Sequence, residues 1–148
     1  MAKIFVSIAS YRDPELLPTL RDLISNAKHP ENLIFSIAWQ HSTEDAWDTL
    51  EEFKDDPRFK VIDIDFRESK GACWARHTIQ QNYNNEEYYF QLDSHHRFVK
   101  EWDTQCIKMI KQLQKAGHEK PLLTAYIPSY NPENDPQERQ PDLSLIHI

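Results

Sequence analysis

Short runs of β-branched and aromatic residues alternate with longer stretches of helical periodicity along most of this chain. The apolar runs have the length of buried strands, whereas the longer stretches repeat their apolar positions every three or four residues. This alternation is typical of βαβ units arranged around a mainly parallel sheet flanked by helices. We therefore predict an α/β fold.

The pattern predicts five strands and four helices. The strands are expected at residues 3–9, 33–40, 59–66, 88–92 and 122–127. The helices are expected at residues 13–27, 42–53, 72–83 and 102–116, the last of them closed by Gly117. Asp13 before Pro14 has the pattern of an N-cap and a first-turn proline. Ser42, three residues before Asp45, resembles a capping box with Asp in place of Glu.

Residues 128–148 lack this periodicity. They contain prolines, asparagines and alternating charges, so we expect a loop or disorder. The apolar ending, residues 143–148, fits no packing pattern and resembles a translated sequencing adapter. We therefore divide the chain into one folded part, residues 1–127, and a Pro-rich segment with a truncated or artefactual end.

Composition excludes several classes of protein. Lys and Arg total 17 against 24 Asp and Glu, a net charge of −7, which argues against binding nucleic acid or anionic lipid. With only two glycines the chain has neither a dinucleotide-binding glycine motif nor a Walker sequence. Cys73 and Cys106 form no Cys-x-x-Cys pair, and no leader or long apolar span occurs. We expect a soluble, cytoplasmic protein.

Four polar segments fall at the carboxyl ends of predicted strands, where ligands bind in open α/β sheets. They are residues 10–13, 40–42, 67–76 and 93–95, and we expect them to line one crevice. In the last segment, Asp93 and His95 flank Ser94. A carboxylate and an imidazole at this spacing suit a divalent cation such as manganese, which bridges diphosphate oxygens and stabilises a leaving nucleoside diphosphate.

Each of these signals has a structural alternative. An Asp-x-His triplet is expected about 0.6 times by chance in this composition, and Asp93 also suits an ordinary turn with exposed histidines. Lys70 and Arg76 flank a helix start at Gly71 that suits a diphosphate, or they belong to a surface helix in which Arg76 pairs with a nearby Glu.

Aromatic and acidic residues near these segments are similarly ambiguous. Tyr11 suits stacking on a base, whereas Asp13 is first a helix cap and second a ligand contact. Trp39 and Trp47 are expected in the core, and Trp74 and Trp102 stay open. Cys73 has no neighbouring base and is expected to be a small packed residue.

Three motifs carry a resemblance to a known family. Residues 4–13 read Ile-Phe-Val-Ser-Ile-Ala-Ser-Tyr-Arg-Asp, residues 70–76 read Lys-Gly-Ala-Cys-Trp-Ala-Arg, and residues 89–98 read Tyr-Phe-Gln-Leu-Asp-Ser-His-His-Arg-Phe. In this order and spacing they resemble the UDP-GlcNAc-dependent glycosyltransferases that include the cytoplasmic hydroxyproline N-acetylglucosaminyltransferases. The triplet is also similar to the metal motif of polypeptide N-acetylgalactosaminyltransferases.

The resemblance implies a GT-A fold, a UDP-sugar donor and retaining transfer of N-acetylglucosamine or a similar sugar to a hydroxyl. It implies manganese or magnesium held by Asp93 and His95, with His96 a competing ligand where the family suggests an apolar residue. The resemblance also implies that Arg76 contacts the diphosphate or the metal-binding Asp93. Together with position at the strand ends, it gives as donor-binding residues Ser10, Tyr11, Arg12, Gln40, Lys70, Gly71, Arg76, Asp93 and Ser94. No catalytic base is identified.

The family pattern covers residues 3 to about 130, and the half that carries the acceptor site does not follow, so we expect a C-terminally truncated enzyme. Two alternatives stay open. One is an inverting GT-A transferase with another nucleotide sugar, and the other is a non-catalytic α/β binding domain.

Overall fold

The computed structural model describes residues 2–125, 127–137 and 139, and the backbone of residues 145–147. These residues divide into two compact units. The first comprises the chain up to Ser25 together with residues 29–97, and the second comprises residues 26–28 and the chain from Phe98 onward. In the described part of the chain, no helix combines the length and the apolar character needed to cross a bilayer.

The first unit is built on a four-stranded parallel sheet. Its strands are β1 (Ile4–Tyr11), β2 (Leu33–His41), β3 (Phe59–Asp65) and β4 (Tyr88–Asp93). They lie in the order β3-β2-β1-β4, with Ala9 of β1 opposite Asp93 of β4 and Tyr11 opposite Gln40 of β2. The predicted parallel α/β sheet is therefore confirmed, with three of its four strands extending one or two residues further than the pattern indicated.

Two helices connect these strands, α1 (Leu16–Asn26) after β1 and α2 (Ala72–Gln80) after β3. The chain crosses from β1 to β2 in one direction and from β3 to β4 in the other, so right-handed crossovers place α1 and α2 on opposite faces of the sheet. On one face, α2 closes a core cluster of Phe5, Ala38, Ile64, Ala75 and Ile79. Helix α1 buries Leu16, Leu20 and Leu23, as its apolar stripe predicts.

The second unit contains helix α3 (Trp102–Lys115) and a two-stranded antiparallel sheet of β5 (Leu123–Ala125) and β6 (Leu145–His147). The backbone N–H of Lys28 donates to Asp103 at 2.8 Å. Gly117 (φ 98°) follows the helix in the left-handed conformation, and the N–H of His118 bonds the carbonyl of Leu113. The predicted glycine closure of this helix is confirmed.

The end of the chain differs from the prediction. The fifth strand is shorter than expected and pairs with β6, within a stretch predicted to be loop or disorder, and a short 3-10 helix covers Pro132–Asn134. Tyr126, predicted to lie in the fifth strand, is outside the described residues. Residue 138, residues 140–144 and Ile148 of the predicted Pro-rich segment also lie outside them.

The prediction of a helix over residues 42–53 is wrong. Turns occupy this segment, followed by a 3-10 helix at Glu51–Phe53. The Ser42 hydroxyl accepts a hydrogen bond from Glu44 N rather than closing a capping box, because serine and aspartate side chains compete with a helix for backbone donors. Asp45 and Asp48 instead hydrogen bond to Arg12 and Trp39, so tertiary contacts override the helical pattern.

Three expectations about burial also change. Trp47 is 48% exposed, because the helix that would have buried it does not form, and Cys73 is exposed on α2. Trp39 is partly buried, with its indole N–H donating to Asp48. Of the two tryptophans left open, Trp74 packs against the α2 core cluster, and Trp102 is buried.

Candidate functional site

The carboxyl ends of β1 and β4 form the point at which the direction of strand order reverses. Helix α1 follows β1 and helix α2 precedes β4 on the opposite face of the sheet, and ligands of open α/β sheets bind in the crevice at such a reversal. Asp93 ends β4, while Ser10 and Tyr11 end β1. The topology alone therefore places two of the predicted polar segments beside each other.

Hydrogen bonds connect the ends of β1, β2 and β3. The N–H of Arg12 bonds the carbonyl of Gln40 at 2.9 Å, and the Gln40 amide returns a bond of 3.0 Å to the carbonyl of Ser10. The hydroxyl of Ser69 donates to the other end of the same amide. Gln40 is only 3% exposed, so its side chain fixes the loops after the three strands to one another.

These loops enclose a cavity of about 490 Å³, within the range of small-molecule sites. Its lining residues are Ala9, Tyr11, Gln40, Phe66, Arg67, Ser69, Gly71 and Ala72. The rings of Tyr11 and Phe66 meet edge to face, 6.3 Å between centroids, and Tyr11 is 54% exposed. The cavity thus offers aromatic surface and polar groups to a planar ligand.

Arg12 braces the aromatic wall of this cavity. Its guanidinium forms a bidentate pair with Asp45, at 2.6 and 3.0 Å, and lies 4.6 Å above the centre of the Phe66 ring. The hydrogen bond from Arg12 to Asp45 raises the pKa of the guanidinium. Arg12 adopts a left-handed backbone conformation (φ 44°), which is uncommon for a residue other than glycine.

The start of α2 forms the next side of the crevice. Gly71 precedes the helix with φ 93° and ψ 173°, and it has no side chain to cover the first turn. The ammonium of Lys70 lies 5.9 Å from the centre of the Trp74 ring. From the second turn, Arg76 donates to a carboxylate oxygen of Asp93 at 2.9 Å, so its partner is Asp93 and not the nearby Glu of the structural alternative.

A turn of three residues follows Asp93 and is fixed by Asp13. The hydroxyl of Ser94 lies 2.6 Å and the Nδ1 atom of His95 2.8 Å from the same carboxylate oxygen of Asp13. Burial raises the pKa of Asp13, but hydrogen bonds from Ser94, the backbone of Glu15 and His95 outweigh it and hold the pKa below its ordinary value. Asp13 is therefore ionised at neutral pH.

The same turn is anchored by α1. The buried hydroxyl of Thr19 donates to the carbonyl of Ser94 at 2.9 Å and accepts from the N–H of His96 at 3.0 Å. The Nε2 atom of His96 accepts from the N–H of Asp93 at 3.1 Å, and burial lowers the pKa of His96. These hydrogen bonds hold the backbone of the turn in place. The side chains of Asp93 and His95, the two predicted ligands, are exposed.

Comparison with known proteins gives the family of the chain. A family model described as "Glycosyltransferase (GlcNAc)" matches residues 3–60 and 46–143. The chain belongs to this glycosyltransferase family. Its resemblance to GlcNAc glycosyltransferases is thereby confirmed, whereas a comparison with curated protein sequences gives no match.

A solved structure agrees on the fold of this chain. The crystal structure of S. aureus TarS, residues 1–349, superposes with a TM-score of 0.58 at 18% sequence identity, over 74% of this chain and 32% of that one. The chain spans about a third of the length of that structure. The predicted α/β fold of GT-A type is confirmed.

The residues after β4 fit a divalent cation in part. Within the described residues, no three His, Cys, Asp or Glu side chains converge into a metal cluster. Asp93 and His95 provide a carboxylate and an imidazole, and magnesium commonly takes only one or two carboxylates with phosphate and water completing its shell. The carboxylate of Asp13 behind His95 matches the support that metal-binding histidines usually have. His96 uses its Nε2 atom inside the turn.

Sequence patterns missed three residues that shape this site. Phe66 stands at the end of a strand, Asp45 occupies a supposed helix cap, and Thr19 lies on an apolar helix face. The local signal for Thr19 was a hydroxyl-bearing residue beside Leu16 and Leu20 in the apolar stripe of the helix. Nothing local marks the others, because Asp45 meets Arg12 across 33 positions of the chain.

Proposed function

We propose that this chain forms the donor-binding part of a glycosyltransferase that takes N-acetylglucosamine from a UDP-sugar and requires manganese or magnesium. The sugar is transferred to a hydroxyl acceptor with retention of configuration. The family supports transfer of GlcNAc in general, and the nucleotide, metal and stereochemistry are our extension of it.

One observation carries the proposal, namely that the aromatic cavity and the Arg76–Asp93 pair lie on the same side of the sheet. Ala9 lines the cavity and is directly opposite Asp93 in the strand register. Side chains alternate between the two faces of a strand, and residues opposite each other in register share a face. A ligand that enters the cavity with its base therefore has its phosphates near Asp93.

The cavity suits the uridine end of such a ligand. Tyr11 and Phe66 offer aromatic surface to a pyrimidine ring, and the guanidinium of Arg67 offers hydrogen-bond donors to its oxygens. Because Gln40 uses both ends of its amide within the protein, its role in donor binding is to hold this wall in place.

The start of α2 suits the diphosphate. Free backbone N–H groups and the positive end of the helix dipole favour phosphate, and Gly71 leaves them uncovered. Lys70 and Arg76 add positive charge in a chain that is acidic as a whole. The Arg76–Asp93 pair then joins the diphosphate side of the site to the metal side.

A divalent cation bound here would neutralise the charge that develops on the leaving diphosphate. Asp93 and His95 would hold it, and Asp13 and Thr19 would keep their turn rigid. A preorganised turn stabilises that charge without rearranging during the reaction.

Isothermal titration of the chain with UDP, in manganese and in EDTA, tests the proposal. We expect binding that is at least about tenfold tighter with manganese and that is lost in Asp93→Asn, because the metal joins diphosphate to protein. Asp55→Asn is the matched control, since Asp55 is an exposed carboxylate on a loop, and it should bind like the native chain.

UDP binding that is equal in manganese and EDTA, and unchanged in Asp93→Asn, would overturn the metal site. No UDP binding under either condition would favour a non-catalytic α/β binding domain. Proton NMR of the sugar released or transferred from UDP-GlcNAc gives the anomeric configuration, and an inverted product would favour the inverting alternative.

We also propose that the protein works in a reducing, cytoplasmic environment. Cys73 and Cys106 are both free thiols, as cytosolic proteins usually have. Burial raises the pKa of the Cys106 thiol, so the exposed Cys73 is the one that thiol-reactive reagents should label first.

A further inference from the structure

Asp13 and His95 hydrogen bond at 2.8 Å although 82 positions of the chain separate them. The contact joins the loop after β1 to the turn after β4. Asp13 was expected to cap α1, and one of its oxygens does accept from Glu15 N at 2.9 Å. Its other oxygen is directed away from the helix to Ser94 and His95, so capping accounts for only half of this carboxylate.

The arrangement fixes where the proton lies. An ionised carboxylate accepts hydrogen bonds and donates none, and Asp13 already accepts from an amide and a hydroxyl. The hydrogen between Asp13 and His95 therefore belongs to Nδ1 of the imidazole. In the neutral ring, Nε2 is then the atom with the lone pair.

His96 provides an internal contrast. Its Nε2 atom accepts the N–H of Asp93 at 3.1 Å, so that lone pair is occupied within the turn. The neighbouring rings of His95 and His96 are nearly parallel, with 5.9 Å between centroids. The two rings differ in their partners: Nδ1 of His95 bonds to the carboxylate of Asp13, and Nε2 of His96 bonds to the backbone N–H of Asp93.

We propose that Asp13 is a positioning residue for metal binding, which holds His95 in the Nδ1-protonated tautomer and leaves Nε2 as the atom that coordinates the cation. The inference rests on the proposed function and deepens it, because it selects the nitrogen and selects His95 over His96. Loss of such a supporting carboxylate typically weakens metal binding by about 10–100-fold.

Long-range proton–nitrogen NMR of the ¹⁵N-labelled chain reads the tautomer directly, at about pH 8, where histidine is neutral. The His95 signals are assigned by their loss in His95→Gln. We expect the Nδ1-protonated form in the native chain and a mixed or reversed tautomer in Asp13→Asn. Titration with manganese chloride in the presence of UDP should then give at least tenfold weaker binding in Asp13→Asn and native binding in Asp55→Asn.

An Nε2-protonated His95 in the native chain would overturn the inference, and this measurement needs no variant that has to fold. Native manganese affinity in a folded Asp13→Asn, checked by circular dichroism, would overturn it as well. Failure of the proposed function has a different signature: the native chain itself would bind no manganese with UDP. That result would remove the metal role of Asp13 whatever the tautomer.

Discussion

The guanidinium of Arg76 donates to the carboxylate of Asp93 at 2.9 Å, across the crevice between α2 and the end of β4. The Nε atom of the same guanidinium is buried and finds no partner among the described residues. The side chains of the pair are 34% and 54% exposed, and ion pairs this accessible contribute little to stability. We therefore expect the pair to contribute little to folding and to serve the proposed donor site.

Replacing Arg76 with Gln tests this explanation. We expect the free energy of unfolding to change by less than about 1 kcal/mol, while UDP affinity falls at least about tenfold because a charged diphosphate contact is lost. Arg21→Gln is the matched control, since Arg21 forms an exposed pair with Glu52 on α1. If both variants bind UDP equally well, Arg76 has no role in donor binding.

Thr19→Val should loosen the turn that carries His95. Valine keeps the shape but leaves the Ser94 carbonyl and the His96 N–H without the hydroxyl they share, which costs about 1–3 kcal/mol in urea unfolding. Thr19→Ser retains the hydroxyl and should restore most of the stability and the manganese affinity. Equal stability of the valine and serine variants would contradict an anchoring role.

Gly71→Ala should destabilise the start of α2. The conformation of Gly71, φ 93° and ψ 173°, is accessible almost only to glycine, so alanine costs about 1–3 kcal/mol. Among the described residues beyond its two chain neighbours, no atom lies within 4 Å of the added methyl group, so we attribute the loss to backbone strain. Thermal unfolding measures it.

Gly117→Ala is the comparison for this variant, because Gly117 also has a positive φ but closes α3. We expect both variants to lose stability and only Gly71→Ala to lose UDP affinity. If both variants lose UDP affinity equally, the loss in Gly71→Ala results from lower stability and not from a contact with the donor.

Asp48 provides a pH-dependent prediction. It is 7% exposed, with one oxygen bonded to Trp39 at 2.7 Å and the other without a partner in the described residues. Burial raises the pKa of this carboxyl above its unfolded value. Protonation therefore favours the folded state, and its contribution to stability is present below the unfolded pKa and is lost as pH rises through the folded pKa.

Asp48→Asn should accordingly raise the melting temperature at neutral pH, because the amide keeps the acceptor for Trp39 and carries no charge. The gain should shrink as pH falls toward the ordinary pKa of aspartate, about 4. Melting curves at several pH values check this, with Asp55→Asn as the exposed control. A gain that is the same at every pH would contradict the assignment to Asp48 ionisation.

Local pattern predicted the parallel strands well and the connection after β2 poorly. Strands such as β1 are indicated by their own runs of apolar residues, which do not depend on contacts with distant parts of the chain. Residues 42–53 also have helix-like spacing, yet their aspartates find Arg12 and Trp39. Arg12, the partner of Asp45, lies 33 positions away and Trp39, the partner of Asp48, lies on the preceding strand, so the periodicity of the segment itself could not reveal these contacts.

The candidate site divides in the same way. Asp93 and His95 were proposed from residue type, spacing and position at a strand end. The resemblance suggested Arg76 as a contact of the diphosphate or of Asp93, whereas Asp13 was assigned first to capping and Thr19 was not singled out. The roles of Asp13 and Thr19 depend on contacts across 75 to 82 positions of the chain.

The sequence by itself determined the alternation of strands and helices, the polar strand ends and the family resemblance, because these are properties of neighbouring residues and of motif order. The tertiary structure decided which residue supports which. In the folded chain Arg76 donates to Asp93, Asp13 hydrogen bonds to His95, and His96 accepts a hydrogen bond from the backbone N–H of Asp93 within its own turn. The physical reason is that hydrogen bonds are short and directional, so partners are set by where the fold brings the side chains.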